Sequence, residues 1–162
     1  MSERTLILLR HAKSDWAGQQ ADIDRPLAER GVRQAPRSGR WLFANIRRID
    51  LAVVSPAERA RATWELAADE CDDAPPTTID RRVYAASARQ LLDVVHDLPD
   101  EAHTVVLVGH NPGMAELASA LTGRSVSMPT SAHAVIGWEG SWSMAGQAGA
   151  TLLASGRGDR RP

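Results

Sequence analysis

The sequence of 162 residues has little cysteine and little aromatic content, and it lacks long apolar runs. Cys71 is the only cysteine, which excludes an internal disulfide and any Cys-x-x-Cys motif and favours a reducing compartment. No apolar run approaches the length of a membrane-spanning helix, and the run at residues 6–9 is too short for a signal-peptide core. These absences predict a cytoplasmic protein with no membrane partner.

The chain also lacks an excess of charge of either sign. Its formal net charge is -1, with 43% hydrophobic and 24% charged residues. This composition is typical of a folded domain rather than of a disordered chain or a protein that coats nucleic acid. We therefore expect a single domain over residues 1–155 and no nucleic-acid partner. Residues 156–162 form a charged, glycine-containing stretch that predicts a disordered tail.

Three short apolar runs are present, and each is followed by basic residues. In chain order, the runs and the residues that follow them are 6–9 with Arg10 and His11, 51–54 with Arg59, and 105–108 with His110. Each run is typical of a buried strand, and ligands of open α/β sheets bind beyond the carboxyl ends of such strands. Two histidines and two arginines would then converge. That set suits a phosphoryl group, whose oxygens carry several negative charges.

Helical patterns separate the predicted strands. The first helix is expected to open near Pro26 and to kink or break at Pro36. Residues 55–58 predict a capping box at the start of a second helix, and residues 87–90 predict another at the start of a third. A fourth helix is expected at about residues 114–121. The alternation of strands and helices predicts an α/β fold.

The pattern changes after Gly123. Residues 132–136 alternate in a way that predicts a strand, residues 139–140 predict a turn, and residues 150–154 predict the returning strand. We expect these strands at the edge of the sheet.

His11 follows the first predicted strand directly. Past a buried strand, one ring nitrogen can donate to a backbone carbonyl, which fixes the tautomer, while the other faces the cleft. The charges of Arg10 and Arg59 would lower the pKa of His11, so that the neutral ring could attack phosphorus. Arg59 is expected in the first turn of a helix, where free backbone N–H groups also favour an anion.

His110 lies in the stretch 109–113, whose glycines permit a tight turn and the close approach of a ligand. It is a candidate second donor to phosphate oxygens. His96, His103 and His110 recur every seven residues, but Pro99 and the intervening strand prevent one helix from presenting all three. With no His-x-x-x-His and no second cysteine, a zinc site is not expected.

Six segments form an ordered set along the chain. They are Arg10 to Trp16, Asp24 to Leu27 with Arg30-Gly31, Ser55-Pro56 with Arg59-Ala60 and Thr63, Tyr84 to Ser87, Gly109 to Gly113, and Met128 to Thr130. The set resembles the histidine phosphatase superfamily, also called the phosphoglycerate mutase-like fold, and within it the SixA-like phosphohistidine phosphatases. The resemblance covers nearly the whole chain. It implies a three-layer α/β/α fold with a mostly parallel central sheet.

The resemblance also implies roles for particular residues. His11 would be the phosphorylated nucleophile, and no metal or other cofactor would be required. Arg10, Arg59 and His110 would surround the phosphoryl oxygens, where they would stabilise charge during in-line transfer. Candidate substrate-binding residues, each of which could instead have an ordinary solvated or capping role, are Ser14, Lys13, Arg25 and Asn111.

The chain departs from the mutase-like pattern at the position of the acidic residue that would donate a proton to the leaving group. Those relatives carry a glutamate three residues before an aromatic, where this chain has Arg81. Asp80, one position away, and Asp15 are the candidate proton donors. An alcohol leaving group needs a proton, whereas imidazole, with a pKa near about 6.5, leaves without a dedicated acid. The departure favours phosphohistidine over alkyl phosphomonoesters as substrate.

Two other functions stay open on the sequence alone. A broad phosphatase of small molecules would use the same histidine, with Asp80 or Asp15 as its acid. A phosphate-binding or phosphopeptide-binding module without turnover would be marked by the loss of either histidine, and both are present. The expected partner is a phosphorylated protein carrying phosphohistidine, or a small phosphorylated metabolite.

Overall fold

Residues 2–158 are described by a computed structural model of the chain. They form ten regular elements and short 3-10 helices at Asp22–Asp24, Arg81–Val83 and Trp142–Met144. In chain order the ten elements are β1 (Glu3–Arg10), α1 (Glu29–Asn45), β2 (Leu51–Val54), α2 (Glu58–Ala68), β3 (Thr77–Ile79), α3 (Ala88–His96), β4 (Thr104–Gly109), α4 (Gly113–Thr122), β5 (Ala132–Glu139) and β6 (Thr151–Arg157).

The strands form one sheet in the order β3-β2-β4-β1-β5-β6. The pairs among β1 to β4 are parallel, whereas β5 is antiparallel to both β1 and β6. The predicted α/β class with a mostly parallel sheet is confirmed.

Helices cover both faces of the sheet. α1 packs against α2, and α3 packs against α4. Leu6 and Leu8 of β1 belong to the core cluster that includes α3 and α4, whereas Ile7 and Leu9 belong to the cluster that includes α1 and α2. All four side chains are fully buried. A strand that is covered on both faces reads as a continuous apolar run, which explains residues 6–9 and gives the three layers.

The parallel register aligns the carboxyl ends of the central strands. β1 ends at Arg10, which pairs with Gly109 at the end of β4, and β2 ends against β4 in a matching register. The residues that follow these strands, His11, Ser55 and His110, therefore emerge side by side at one end of the sheet.

The first helix begins later than predicted. α1 starts at Glu29 rather than near Pro26, because Leu27 forms an isolated β-bridge with Ser14. The helix continues through Pro36, so the predicted break does not occur.

The two predicted capping boxes have different outcomes. α2 begins at Glu58 with Ala57 as its N-cap, so the capping box predicted for residues 55–58 is wrong. The capping box of α3 is confirmed: Ser87 Oγ accepts from the backbone N–H of Gln90 at 3.2 Å, and Gln90 Oε1 accepts from that of Ser87 at 2.9 Å.

The C-terminal strands correct two predictions. β5 lies between β1 and β6 and is largely buried, so β6 alone of these two is an edge strand. β6 extends to Arg157, so the predicted tail is wrong for Gly156 and Arg157. Arg157 Nε donates to the carbonyl of Thr130 at 3.0 Å, which ties the end of the strand down. Residues 159–162 of the predicted tail lie outside the described residues.

Two further features of residues 2–158 bear on the sequence predictions. None of the helices in this range combines the length and the apolar character needed to cross a membrane. Cys71 is a free thiol, and it is partly buried just after α2.

Candidate active site

A cleft of about 260 Å³ lies at the end of the sheet where His11 and His110 emerge. Its lining residues are Arg10, His11, Lys13, Ser14, Trp16, Asp22, Arg25, Arg59, His110, Asn111 and Thr130. All eight residues predicted as catalytic or substrate-binding are among them. Three larger depressions formed by the described residues, of about 480 to 500 Å³, contain no histidine. The predicted catalytic residues therefore lie in the smaller cleft and not in these three depressions.

His11 is 6% exposed. Its Nδ1 lies 2.7 Å from the carbonyl oxygen of Ala12, so Nδ1 carries the proton and donates it to that oxygen. The hydrogen bond fixes the tautomer in which Nε2 bears the free lone pair. Nε2 is therefore the ring nitrogen available to a ligand. The sequence alone does not predict which of the two ring nitrogens this is.

Burial is the largest cause of the low pKa of His11, which falls to about 4. The hydrogen bond to Ala12 acts in the opposite direction, and the charges of Arg59, Arg10 and Arg25 lower the pKa further. The predicted direction holds, although the main cause is desolvation rather than the neighbouring charges. The ring is neutral at neutral pH, as a nucleophile must be.

Thr63 links the His11 loop to α2. Its Oγ1 accepts from the backbone N–H of Ala12 at 2.9 Å and donates to the carbonyl of Arg59 at 2.6 Å. The side chain is fully buried. Thr63 therefore positions the backbone of Ala12, the residue whose carbonyl holds the ring of His11.

His110 follows β4, and its ring centroid lies 5.1 Å from that of His11. Nε2 of His110 is 2.7 Å from Oγ of Ser55, which also accepts from the backbone N–H of Ala57 at 3.2 Å. A hydroxyl that accepts from Ala57 can use its one proton for Nε2, which favours the tautomer of His110 protonated at Nδ1. Nδ1 is buried and has no partner among the described residues.

The environment of His110 also keeps it neutral. Burial lowers its pKa to about 3, and the charge of Arg59, together with that of His11 whenever His11 is protonated, acts in the same direction. The sequence pattern predicted Ser55 as a helix cap, because Ser-Pro-x-Glu is typical of a capping box. In the structure its hydroxyl contacts His110, and Ala57 is the N-cap of α2.

Arg59 extends from the first turn of α2 and is 6% exposed. Its Nη1 donates to the carbonyl of Asp22 at 2.6 Å, and its Nη2 donates to Oδ2 of the same residue at 3.1 Å. These two contacts fix the guanidinium plane. Because a guanidinium has five N–H donors, others stay available to an anion in the cleft.

Asp22 lines the cleft, although no motif in the sequence predicts it as a site residue. It lies in the 3-10 helix between β1 and α1, and its carboxylate accepts from Arg59, from Nε of Arg25 at 3.1 Å and from the Tyr84 hydroxyl at 2.5 Å. The hydrogen bond from Tyr84, followed by those from the two guanidiniums, holds the pKa of Asp22 well below its usual range. Only Arg25, three residues along, is a local partner. The other contacts exist only in the folded chain.

Arg10 and Arg25 are two further guanidiniums in the cleft lining. Arg10 Nη1 donates to the carbonyl of Met128 at 3.1 Å. Arg25 Nη1 donates to Oγ of Ser14 at 2.9 Å, and its guanidinium carbon lies 3.5 Å from the ring centroid of Trp16. Trp16 is 71% exposed, so much of its indole is open to solvent at the rim of the cleft.

Lys13 and Asn111 line the cleft in different ways. The Lys13 residue is exposed, and its backbone N–H donates to Oε1 of Gln34 at 2.9 Å. The Asn111 amide is used within the protein, since Nδ2 donates to the carbonyl of Met128 at 2.8 Å and Oδ1 accepts from the backbone N–H of Ala115 at 3.2 Å. Asn111 therefore holds the wall of the cleft together.

The two candidate proton donors, although both are described residues, are not part of the cleft lining. Asp80 accepts from the side chain and backbone of Arg82, and these hydrogen bonds lower its pKa. Asp15 Oδ1 accepts from the backbone N–H of Ala17 at 2.8 Å. The structure thus does not bring Asp80 or Asp15 to His11. The carboxylate that lines the cleft is Asp22.

The seven-residue spacing of three histidines does not produce a common site. His96 Nε2 contacts the carbonyl of Ala145 at 2.8 Å, and His103 Nδ1 contacts Arg4 at 3.3 Å, whereas His110 lines the cleft. Within residues 2–158, no group of three or more histidine, cysteine, aspartate or glutamate side chains is arranged to hold a metal ion.

Comparisons with known proteins agree with this geometry. The model of the histidine phosphatase superfamily (branch 1) matches residues 6–83. An uncharacterised protein of Mycobacterium tuberculosis is 35% identical over 145 residues, which cover 83% of this chain and 89% of the relative. The chain belongs to the histidine phosphatase superfamily.

Solved structures of histidine phosphatase superfamily members extend the similarity to almost the whole chain. A proposed phosphohistidine phosphatase SixA from Nakamurella multipartitia has a TM-score of 0.87 at 27% identity, covering 97% of both chains. A second, from Agrobacterium tumefaciens, has a TM-score of 0.80 at 27% identity, covering 94% of this chain and 97% of that chain. The resemblance to SixA-like members that the motifs indicated is confirmed.

Proposed function

We propose that this protein is a phosphatase that acts through a covalent phosphohistidine formed on His11. The observation that carries the proposal is the hydrogen bond from Nδ1 of His11 to the Ala12 carbonyl, which leaves Nε2 with a free lone pair in a cleft lined by arginines. With a pKa of about 4, the ring is a neutral nucleophile at physiological pH.

The reaction would proceed in two displacements. Nε2 attacks phosphorus while the bond from phosphorus to the leaving group breaks, and the bonding electrons depart with the leaving group. Arg10, Arg59 and His110 line the cleft and supply N–H donors where charge spreads over the phosphoryl oxygens. Water then attacks phosphorus, which breaks the bond to Nε2 and regenerates neutral His11.

The preferred substrate we infer is phosphohistidine on a protein. Asp22, the carboxylate among the cleft-lining residues, is held ionised by its hydrogen bonds and is a poor proton donor. An alkoxide leaving group, whose conjugate acid is about as weak as bulk water with a pKa of roughly 15.7, would need such a donor. A protonated phosphoimidazole releases neutral imidazole without one. The similarity to SixA-like structures supports the same choice.

No metal enters the proposed mechanism, because the guanidiniums supply the positive charge around the phosphoryl group. We therefore expect full activity after dialysis against a chelator. Cytoplasmic phosphoproteins remain the partners that we predict, with small phosphorylated metabolites as the alternative substrates.

The test is a comparison of leaving groups on the wild-type protein. We expect kcat/KM for a phosphohistidine peptide to exceed that for an alkyl phosphate of similar size by at least about 100-fold, a difference equivalent to roughly 2.7 kcal/mol. Aryl phosphates should fall between the two in order of leaving-group pKa. Equal turnover of the peptide and the alkyl phosphate would instead identify a broad phosphomonoesterase. No turnover of any of them would identify a binding module.

A further inference from the structure

The carboxylate of Asp22 has an unusual position for a phosphate-binding cleft. It is an anion among the residues that line an anion site, yet its side chain remains 49% exposed. Three hydrogen bonds reach it: Arg25 Nε on Oδ1, and Arg59 Nη2 and the Tyr84 hydroxyl on Oδ2. A carboxylate offers about four acceptor positions, so roughly one position stays free, on Oδ1 of this half-exposed side chain.

We propose that Asp22 accepts a hydrogen bond from the protonated ring of the substrate's phosphohistidine and so determines the preference for an imidazole leaving group; this inference rests on the proposed function. A phosphoryl group held by Arg59 would lie beside Asp22, because the carboxylate is itself bonded to that guanidinium. The leaving group would then meet Oδ1 at the mouth of the cleft. A cationic ring is attracted there, whereas an anionic or neutral oxygen leaving group is not.

The chemical step balances without a transferred proton. The substrate begins as a phosphoimidazolium, whose second ring nitrogen carries the proton that Asp22 would accept as a hydrogen bond. Nε2 of His11 forms a bond to phosphorus, the bond from phosphorus to the substrate nitrogen breaks, and its electron pair stays on that nitrogen. The substrate leaves as neutral imidazole. The positive ring charge passes to the phosphorylated His11, whose Nδ1–H donates to Ala12.

Asp22 would act mainly by binding the reactive protonated substrate. A free imidazole ring is protonated to a minor extent above about pH 6.5, so a carboxylate partner extends the reactive form to higher pH. Other charged groups around the carboxylate oppose this effect. Arg25 and Arg59 contact Asp22 directly, Tyr84 donates to it, and His11 and His110 line the same cleft as neutral rings.

The experiment measures Asp22→Asn with two probes, a phosphohistidine peptide and p-nitrophenyl phosphate. Asp24→Asn is the matched control, since Asp24 lies in the same 3-10 helix but is not among the cleft-lining residues. We expect D22N to lower kcat/KM for the peptide, largely through KM, by a factor at least about 10 times greater than the factor by which it lowers kcat/KM for p-nitrophenyl phosphate, because both probes depend on the guanidinium of Arg59 but only the peptide has a protonated leaving group. D24N should change neither.

The alternative roles of Asp22 give other patterns. If Asp22 only competed with phosphate for Arg59, D22N would raise kcat/KM for both probes equally. If it only positioned the guanidiniums, D22N would lower both equally. Either pattern, or no change with either probe, would overturn the inference.

The wild-type protein provides a second test that needs no variant. We expect kcat for the phosphohistidine peptide at saturating concentration, which reports the titration of the bound ring, to decline at alkaline pH with a midpoint at least about one unit above the ring pKa of the free peptide, which is a tenfold effect. A midpoint at the pKa of the free peptide would overturn the role of Asp22. A wild-type protein that hydrolyses p-nitrophenyl phosphate but not the peptide would overturn phosphohistidine as the proposed substrate, and one that hydrolyses neither would overturn the proposed phosphatase activity.

Discussion

Oγ of Ser55 lies 2.7 Å from Nε2 of His110, and this contact joins the end of β2 to the end of β4 at the cleft. Ser55→Ala would leave Nε2 without its partner and remove the bias toward the ring protonated at Nδ1. We expect kcat for p-nitrophenyl phosphate to fall by about 10-fold to 100-fold while the far-ultraviolet circular dichroism spectrum is unchanged.

A second serine variant is the control for Ser55→Ala. Ser87 caps α3 and is not part of the cleft lining, so Ser87→Ala should lower the free energy of unfolding by about 1 kcal/mol and leave kcat unchanged. Wild-type turnover by Ser55→Ala would show that the Ser55 hydroxyl does not orient His110.

Thr63 should be required for the geometry of His11 through its hydroxyl rather than its shape. Thr63→Val is nearly isosteric but leaves the buried N–H of Ala12 without an acceptor. We expect it to lower the free energy of unfolding by about 1–3 kcal/mol and to reduce kcat. Thr63→Ser retains the hydroxyl, so it should keep most of the activity. Urea unfolding and steady-state kinetics of the two variants check this, and equal kcat values for both would contradict it.

Gly31 should be intolerant of any side chain. A Cβ built on Gly31 would lie 2.1 Å from the carbonyl oxygen of Lys13, so α1 packs directly on the backbone of the His11 loop. Gly31→Ala must displace that loop, and we expect a loss of about 1–3 kcal/mol in the free energy of unfolding together with reduced kcat/KM. Gly149→Ala, where no atom lies within 4 Å of the added carbon, is the control. Equal stability of the two variants would show that the close contact at Gly31 is easily relieved.

The part of the site that lies next to strand ends was predictable from sequence. Buried parallel strands are apolar runs, and their carboxyl ends must meet, so the convergence of His11, His110 and Arg59 follows from local pattern and topology. Asp22 was not predictable in this way, because its partners Arg59 and Tyr84 come from distant segments.

The incorrect predictions also have physical causes. Ser55 has the spacing of a helix cap, but a hydroxyl bonds to whichever partner lies nearest in the fold, here His110. The role of Asp80 as a proton donor stays a prediction, and in the structure its carboxylate accepts a hydrogen bond from Arg82. β5 alternates small and apolar residues, a pattern that is typical of an edge strand. In the structure β6 pairs with the edge of β5 that faces away from β1, and both faces of β5 are largely buried.

Acid should destabilise the protein below about pH 6.5. Burial lowers the pKa of His11 and of His133 to about 4 and that of His110 to about 3, whereas an unfolded histidine titrates near about 6.5. Between these values the unfolded state binds protons that the folded state excludes. The free energy of unfolding is therefore highest above about pH 6.5 and falls as pH decreases through this window.

His133 allows this pH dependence to be tested outside the cleft. Its ring stacks on Trp41 with centroids 3.7 Å apart, and His133→Phe keeps an aromatic ring in that position. Urea unfolding at several pH values should give a slope between pH 6.5 and 5 that is shallower by up to about 1.4 kcal/mol per pH unit. The same slope in the variant and the wild type would contradict the burial of a neutral His133.

The covalent intermediate on His11 can be measured directly. A phosphohistidine peptide labelled with radioactive phosphate is mixed with wild-type protein and with His11→Ala, and the reactions are quenched within milliseconds to seconds. We predict label on the wild type that is lost in acid and retained in base, and no label on His11→Ala. An unlabelled wild type, or equal labelling of the two proteins, would contradict nucleophilic attack by His11.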